Sequence, residues 1–293
     1  MAIPYISIES ALELVENQGA ILLDCRWFLD GRDAHQIFLE GHIPGSRFLD
    51  MEVVGADLSV TGNGRHPLPS THDFAQKLAE LGITRDSTLV LYDSDSGTIA
   101  ARIWWMTRRL SINTYIIAGG IQSYSGPLEA GEVDIERSVI DAGISRWEGS
   151  VTTDELINLI SKDRTIVILD ARNQDRYRGD FEPVDPRAGH IPGAYNLPTR
   201  SLMIDGINPA PLEGVKAILK EVVGEDVFTE LVNNERQVVV SCGSGITACH
   251  LSMFVEEVTG REPILYNGSF SAWSTRYDLP VQIGGERGEL PAE

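Results

Sequence analysis

Residues His42–Gly45 read HIPG, and the same four letters return at His190–Gly193. Three more pairs of segments match in the same order, each pair 146 to 149 residues apart: Asp24-Cys25-Arg26 with Asp170-Ala171-Arg172, residues 88–93 with 237–242, and Ala118-Gly119-Gly120 with Tyr266-Asn267-Gly268. A period as long as a whole domain indicates a duplicated unit. The sequence therefore predicts two copies of one fold in tandem.

Within each half, short runs rich in β-branched residues alternate with segments of helical periodicity. Ser70–Asp73 and Thr152–Glu155 have the residue types that begin helices, and we expect helices over 74–81 and 156–160. Strands separated by helices favour a parallel sheet. The predicted fold class is α/β, with a small open parallel sheet and helices on both its faces in each half. The predicted boundaries are 1–135 for the first domain, 136–149 for a linker and 150–293 for the second domain.

Composition excludes several classes of protein. Of 293 residues, 42% are apolar and 23% are charged, which is typical of globular proteins, and no apolar run reaches the length of a membrane span. The net charge of −19 disfavours nucleic acid and anionic membranes as partners. Three cysteines and the lack of a signal-peptide pattern favour a reducing compartment, so we expect a cytoplasmic protein. No metal-ligand pattern is apparent, and we expect no cofactor.

The repeat separates architectural residues from functional candidates. Residues present in both halves, such as His42 with His190 and Arg26 with Arg172, are expected to be structural. Cys242 differs, because its counterpart is Asp93. Carboxylates at that place would destabilise an anionic nucleophile, so we expect the first domain to be catalytically silent.

Cys242 stands in the stretch Val238–His250, VVVSCGSGITACH, which predicts a strand, a short loop and then a helix from about Ala248 to Val258. Glycines at 243 and 245 allow successive N–H groups to turn inward as an anion-binding nest. The helix adds the positive end of its dipole. We expect this loop to keep part of the Cys242 thiol ionised at pH 7.

Several cysteine chemistries use such a loop. A cysteine phosphatase needs arginine at the sixth position after the cysteine, where this chain has Ala248. A disulfide oxidoreductase needs C-x-x-C, but Cys249 comes seven residues later and is expected to pack inside the helix. A cysteine hydrolase needs a histidine base, and the second half offers only His190 and His250. A loop that merely turns the chain is the remaining alternative.

The loop Cys242–Ala248, CGSGITA, resembles the active-site loop of 3-mercaptopyruvate sulfurtransferases, within the two-domain rhodanese family. Both HIPG turns, the Trp104-Trp105 pair and Gly268–Trp273 (GSFSAW) extend the resemblance over nearly the whole chain. It implies a tandem of rhodanese-like domains whose first member is catalytically silent.

The resemblance also implies a double displacement. The Cys242 thiolate would take sulfur from 3-mercaptopyruvate as a persulfide and release pyruvate, and cyanide, a small thiol or reduced thioredoxin would then accept the outer sulfur. Residues Gly243, Gly245, Ile246, Thr247 and Ala248 would bind the donor and the persulfide. Arg176 and Arg187 would hold the donor's carboxylate, because a guanidinium binds carboxylates in a fork. Ser244 would relay a proton with His42 and Asp33, although the twin of His42 favours a structural role.

Donor choice rests on the two residues after the cysteine. Thiosulfate sulfurtransferases of the family begin this loop with C-R-K-G, whereas Gly243 and Ser244 carry no charge and favour the keto-acid. A thiosulfate-preferring or other sulfur-relay enzyme with the same persulfide is the first alternative. A non-catalytic anion-binding rhodanese module is the alternative of another class.

Overall fold

The computed structural model describes residues 3–51 and 62–291. Within these residues the first half builds a parallel five-stranded sheet in the order β1-β5-β4-β2-β3, with four α-helices. In chain order its elements are β1 (Tyr5–Ile6), α1 (Ile8–Gln18), β2 (Ile21–Asp24), α2 (Ala34–Glu40), β3 (Arg47–Phe48), α3 (Thr71–Glu80), β4 (Thr88–Tyr92), α4 (Ala100–Arg109) and β5 (Asn113–Ile117).

The second half repeats this topology. Its five parallel strands follow the order β6-β12-β11-β7-β8, and a separate antiparallel ribbon joins β9 to β10. In chain order its elements are β6 (Ser150–Val151), α5 (Thr153–Lys162), β7 (Val167–Asp170), α6 (Gln174–Arg178), β8 (Tyr195–Asn196), β9 (Met203–Ile204), β10 (Asn208–Pro209), α7 (Leu212–Val223), α8 (Glu225–Val232), β11 (Val238–Ser241), α9 (Ile246–Thr259), β12 (Ile264–Tyr266) and α10 (Ser269–Trp273).

The α/β class and the duplicated parallel sheets predicted from the sequence are confirmed. All three predicted helices form, with ends shifted by a few residues. Ser70 caps α3 by accepting a hydrogen bond from the Asp73 N–H, and Thr152 with Glu155 forms a complete capping box on α5. The predicted domain boundaries stay a prediction, and the ranges they enclose include positions 1, 2, 52–61, 292 and 293, which lie outside the described residues.

The two HIPG segments are equivalent turns, as the repeat predicts. His42 and His190 are fully buried, and each Nδ1 lies within hydrogen-bond distance of a backbone oxygen, that of Phe38 (2.9 Å) and that of Tyr177 (2.8 Å). Each imidazole also stacks on the ring of the same residue. Both histidines therefore hold a turn against the core of their own domain.

One apolar core runs through both domains. Helices α4 and α9 pack against each other across the domain boundary, with Trp105 and Phe254 completely buried in the shared core. Each of these helices follows one of the two equivalent loops, the loop after β4 and the loop after β11. The packing therefore brings the Asp93 loop and the cysteine loop to the same interface. Within residues 3–51 and 62–291, no helix has the length and apolar content needed to cross a membrane.

Candidate active site

Cys242 follows the last residue of β11 and lies three residues before the N-cap of α9. Its side chain is almost completely buried, and its Sγ accepts a hydrogen bond from the Gly245 N–H at 3.0 Å. Gly245 has φ of +86°, and a Cβ on this residue would lie 2.4 Å from the backbone oxygen of Asn267. Only glycine fits this backbone, and the conformation aims an amide at the sulfur.

The equivalent loop of the first domain already holds an anion. The Asp93 carboxylate is fully buried and accepts four backbone hydrogen bonds, from the N–H groups of Asp95, Gly97, Ile99 and Ala100, at 2.8 to 2.9 Å. Burial raises the pKa of Asp93, and these hydrogen bonds oppose the rise. The loop of this fold can therefore surround a negative group with inward N–H groups, and in the first domain that group is a side chain of the loop itself.

Cys242 opens into a pocket of about 230 Å³ between the two domains. Gly243, Ser244, Ile246 and Thr247 line it with Cys242, whereas the Ala248 side chain is buried in the first turn of α9. Larger depressions of about 340, 350 and 480 Å³ exist elsewhere, but the cysteine loop is absent from their linings. The position of Cys242 therefore identifies the smaller pocket as the candidate site.

Four arginines line this pocket, and each has a carboxylate partner. The pairs are Arg65 with Asp185, Arg172 with Asp170, Arg176 with Glu182, and Arg200 with Asp95. Because every guanidinium is matched by a carboxylate, the pocket can attract an anion locally without a large excess of positive charge.

Arg176 lies beside the cysteine loop. It begins the last turn of α6 and donates to Glu182 at 2.7 and 2.9 Å and to Asp185 at 3.0 Å. Its Nη1 lies 3.1 Å from the point where a Cβ on Gly243 would stand. That nitrogen therefore faces the loop.

Arg187, which was predicted to hold the donor, lies outside the lining of this pocket, so the structure does not bring it together with Cys242 and Arg176. Its Nε, Nη1 and Nη2 donate to the backbone oxygens of Trp273, Ser274, Arg276 and Leu279 at 2.7 to 2.9 Å. The guanidinium ties the loop before the HIPG turn to the segment after α10. A cation held by four carbonyls has little left to offer a ligand.

Ser244 is paired with His66, and the structure does not bring it together with His42 or Asp33, the residues predicted to share its relay. Ser244 Oγ and His66 Nδ1 lie 2.7 Å apart. His42 is enclosed against Phe38 in its own domain, and Asp33 is an exposed N-cap that accepts from the Gln36 N–H. Ser244 is thus paired with a histidine of the first domain, but this histidine is His66 and not the predicted His42.

His66 is neutral at ordinary pH. Burial, together with the charges of Arg65 and Arg102, lowers its pKa to about 4. A neutral imidazole can accept a proton, and its ring contacts Trp27 edge to face. Ser244 is itself 9% exposed, so the pair lies at the wall of the pocket.

Arg102 on α4 connects His66 to the cysteine loop. It is nearly completely buried and donates from Nη2 to the His66 oxygen at 2.9 Å and from Nη1 to the Gly245 oxygen at 3.3 Å. Cys249, predicted to be a buried helical residue, is confirmed as one, and burial raises its pKa to about 11. Arg102, a residue of the first domain, therefore holds both the backbone at His66 and the cysteine loop in place.

Sequence reasoning missed Arg65, His66 and Arg102, which all come from the first domain. One signal was present for His66, since the second half has no histidine at the corresponding place, 146 to 149 residues on. The criterion that singled out Cys242 would have singled out His66 as well. Its pairing with Ser244, 178 residues away, follows only from the packing of the two domains.

The family model for the rhodanese-like domain matches the chain twice, over residues 7–126 and 152–276. A Mycobacterium tuberculosis protein with the provisional name thiosulfate sulfurtransferase SseB is 33% identical over 90% of both chains. The 3-mercaptopyruvate sulfurtransferase of Escherichia coli K12 is 30% identical over 95% of this chain and 97% of its own. The structure of 3-mercaptopyruvate sulfurtransferase from Leishmania major superposes with a TM-score of 0.78 at 26% identity, covering 94% of this chain and 75% of that one. The chain belongs to the rhodanese family and carries two rhodanese-like domains in tandem.

Proposed function

We propose that this chain is a sulfurtransferase that takes sulfur from 3-mercaptopyruvate as a persulfide on Cys242. The observation that carries the proposal is the hydrogen bond from the Gly245 N–H to Cys242 Sγ, at the N-terminus of α9 and beside Arg176. An amide donor and a helix dipole directed at the sulfur stabilise it as an anion, both before and after it gains a second sulfur.

In the first half-reaction the Cys242 thiolate attacks the donor's sulfur. A bond forms between the two sulfur atoms, the carbon–sulfur bond of the donor breaks, and its electron pair passes to carbon as the enolate of pyruvate. Arg176 binds the donor's carboxylate through the nitrogen that faces Gly243. The N–H groups of Gly245, Ile246, Thr247 and Ala248 surround the persulfide, since they form the turn that begins α9.

The enolate needs a proton, and Ser244 with His66 is placed to supply it. In this proposal Ser244 gives its hydroxyl proton to the enolate carbon and takes back the proton that the donor's thiol group loses as the persulfide ionises, while neutral His66 accepts the serine hydrogen bond and orients the hydroxyl. The low pKa of His66 keeps it neutral, as an acceptor at Nδ1 requires.

In the second half-reaction a nucleophile removes the outer sulfur. The acceptors that we propose are cyanide, a small thiol and reduced thioredoxin, and the compartment is the cytoplasm. Each acceptor attacks the outer sulfur, and the bond between the two sulfurs then breaks to return the Cys242 thiolate.

Thiosulfate is the second candidate donor, favoured by the name of the M. tuberculosis relative. The uncharged Gly243 and Ser244 favour the keto-acid. Steady-state kinetics with both donors, with cyanide as acceptor, decide between them: the proposal requires the larger kcat/KM for 3-mercaptopyruvate, and a larger value for thiosulfate would replace it with the second candidate.

Cys242→Ser tests whether the chain is an enzyme of this kind at all. The variant should turn over neither donor, whereas Cys249→Ser, a change at the buried cysteine of the same loop and helix, should keep most of the activity. If Cys242→Ser retains activity, the persulfide is not the intermediate. If the unaltered chain transfers no sulfur but binds anions, it is a non-catalytic module.

A further inference from the structure

One buried carboxylate joins arginines from the two domains. Asp185, whose side chain is only 2% exposed, forms ion pairs with Nη1 of Arg65 from the first domain and with Nη2 of Arg176 from the second. Burial raises the pKa of Asp185, and Arg65 is the largest influence that opposes the rise. Two guanidinium partners favour the charged form of this carboxylate.

Asp185 leaves one terminal nitrogen of each arginine directed at the cysteine loop. Nη2 of Arg65 and Nη1 of Arg176 both lie 3.1 Å from the position of a Cβ on Gly243. Within residues 3–51 and 62–291, neither nitrogen makes a hydrogen bond to another protein group. Because each guanidinium is planar, holding one end of it by Asp185 fixes the direction of the other end.

We infer that Asp185 is the residue that sets donor specificity, because it holds Arg65 and Arg176 together as one clamp for the donor's anionic group and cancels part of their charge. This inference rests on the proposed sulfur transfer. It makes Arg65 the second donor-binding cation, in the place where Arg187 was expected.

The charge of the clamp decides which donor it suits. Glu182 and Asp185 together carry two negative charges, and Arg65 and Arg176 carry two positive charges, so the four groups sum to zero. Such a clamp binds a single carboxylate by hydrogen bonds and gives no extra attraction to a second negative charge. 3-Mercaptopyruvate carries one carboxylate, whereas thiosulfate is a dianion. Asp185 therefore favours the keto-acid.

Two substitutions test the inference in opposite directions. Asp185→Asn removes a negative charge from the clamp, and Arg65→Gln removes a positive one. A change in the charge of the clamp alters the binding energy of a dianion twice as much as that of a monoanion. A unit charge within several ångströms in a partly buried site alters the affinity for an anion by about tenfold or more. The ratio of kcat/KM for thiosulfate to kcat/KM for 3-mercaptopyruvate should rise about tenfold in Asp185→Asn and fall about tenfold in Arg65→Gln.

Asp180→Asn is the matched control. Asp180 lies in the same segment and pairs with Arg178, but its side chain is 59% exposed and lies outside the pocket lining. The donor ratio of this variant should stay within about twofold of the unaltered chain. Thermal unfolding of all three variants checks that they fold. Should Asp185→Asn fail to fold, Arg65→Gln still tests the clamp, because Arg65 is partly exposed.

Opposite shifts of the donor ratio in the two clamp variants support the inference. Equal losses for both donors, with the ratio unchanged in both variants, would mean that Asp185 and Arg65 only support the fold, and would overturn it. The proposed function fails separately, since it falls if the unaltered chain transfers sulfur from neither donor.

Discussion

Gly245→Ala is expected to disable the cysteine loop, and Gly260→Ala is its matched control. The two glycines flank α9, and both have positive φ, +86° for Gly245 and +69° for Gly260. The two positions differ in the room that they leave for a Cβ atom. A Cβ at 245 would lie 2.4 Å from the Asn267 oxygen, whereas a Cβ at 260 would meet nothing within 4 Å.

The cost at each end of α9 follows from these contacts. Alanine at 260 destabilises the folded state only through its left-handed backbone conformation, which costs about 1 to 2 kcal/mol. The midpoint of thermal unfolding should therefore fall by a few degrees. Alanine at 245 adds a clash with backbone that has no rotamer to relieve it, so the loop must shift. The shift weakens the hydrogen bond from residue 245 to Cys242 Sγ, a bond to a charged group worth about 1.5 to 3 kcal/mol. Persulfide formation should therefore slow by about 10- to 100-fold.

A single-turnover assay measures this prediction. Each variant is mixed with 3-mercaptopyruvate in the absence of acceptor, and pyruvate release is followed alongside thermal unfolding. Gly260→Ala should keep the rate of the unaltered chain despite its lower unfolding midpoint. The reasoning is refuted if Gly245→Ala releases pyruvate at the unaltered rate, or if both variants slow equally.

Three further changes have distinct expected results. His66 has a folded pKa of about 4 against about 6.5 when unfolded, so the unfolded chain binds a proton first as the pH falls, and His66 alone should account for about 3 kcal/mol of the stability lost between pH 6.5 and 4. His66→Asn should lack that part of the loss in urea unfolding at the two pH values. Asp93→Asn replaces the charged acceptor of four buried N–H groups, so it should lower the free energy of unfolding by about 2 kcal/mol or more. The KM for 3-mercaptopyruvate should stay unchanged. A raised KM with an unchanged free energy of unfolding would contradict the structural role of Asp93. Arg187→Ala leaves four carbonyls without their donor, so it should lower the thermal unfolding midpoint without raising KM, and a KM effect at unaltered stability would restore Arg187 as a donor-binding residue.

The repeat in the sequence was enough to predict the fold. A strand, a turn and a helix found in one half predict the same elements at the equivalent positions of the other half. Apolar, β-branched runs such as Val238–Val240 form buried strands in both halves. Capping residues also fixed helix starts closely, because Ser70 and Thr152 act within one turn. These features depend on contacts that are local in the sequence or repeated in it.

The site could be predicted only in its local part. Cys242 and the glycine loop are contiguous, and Arg176 lies on a short helix of the same domain. The partner of Ser244 could not be predicted in this way, because the choice of His66 depends on how α4 packs against α9. The sequence around Arg187 does not reveal that four backbone carbonyls surround its guanidinium. The sequence around Arg65 does not reveal that this residue contacts Asp185, which is 120 residues away in the chain. Contacts of that range are set by the interface between the domains.

Intact mass spectrometry after incubation with 3-mercaptopyruvate, without any acceptor, tests the central claim most directly. The account predicts that the chain gains the mass of one sulfur atom, that peptide mapping places this sulfur on Cys242, and that added cyanide removes it. A chain that releases pyruvate without gaining sulfur, or that carries the sulfur on Cys25 or Cys249, would contradict the account.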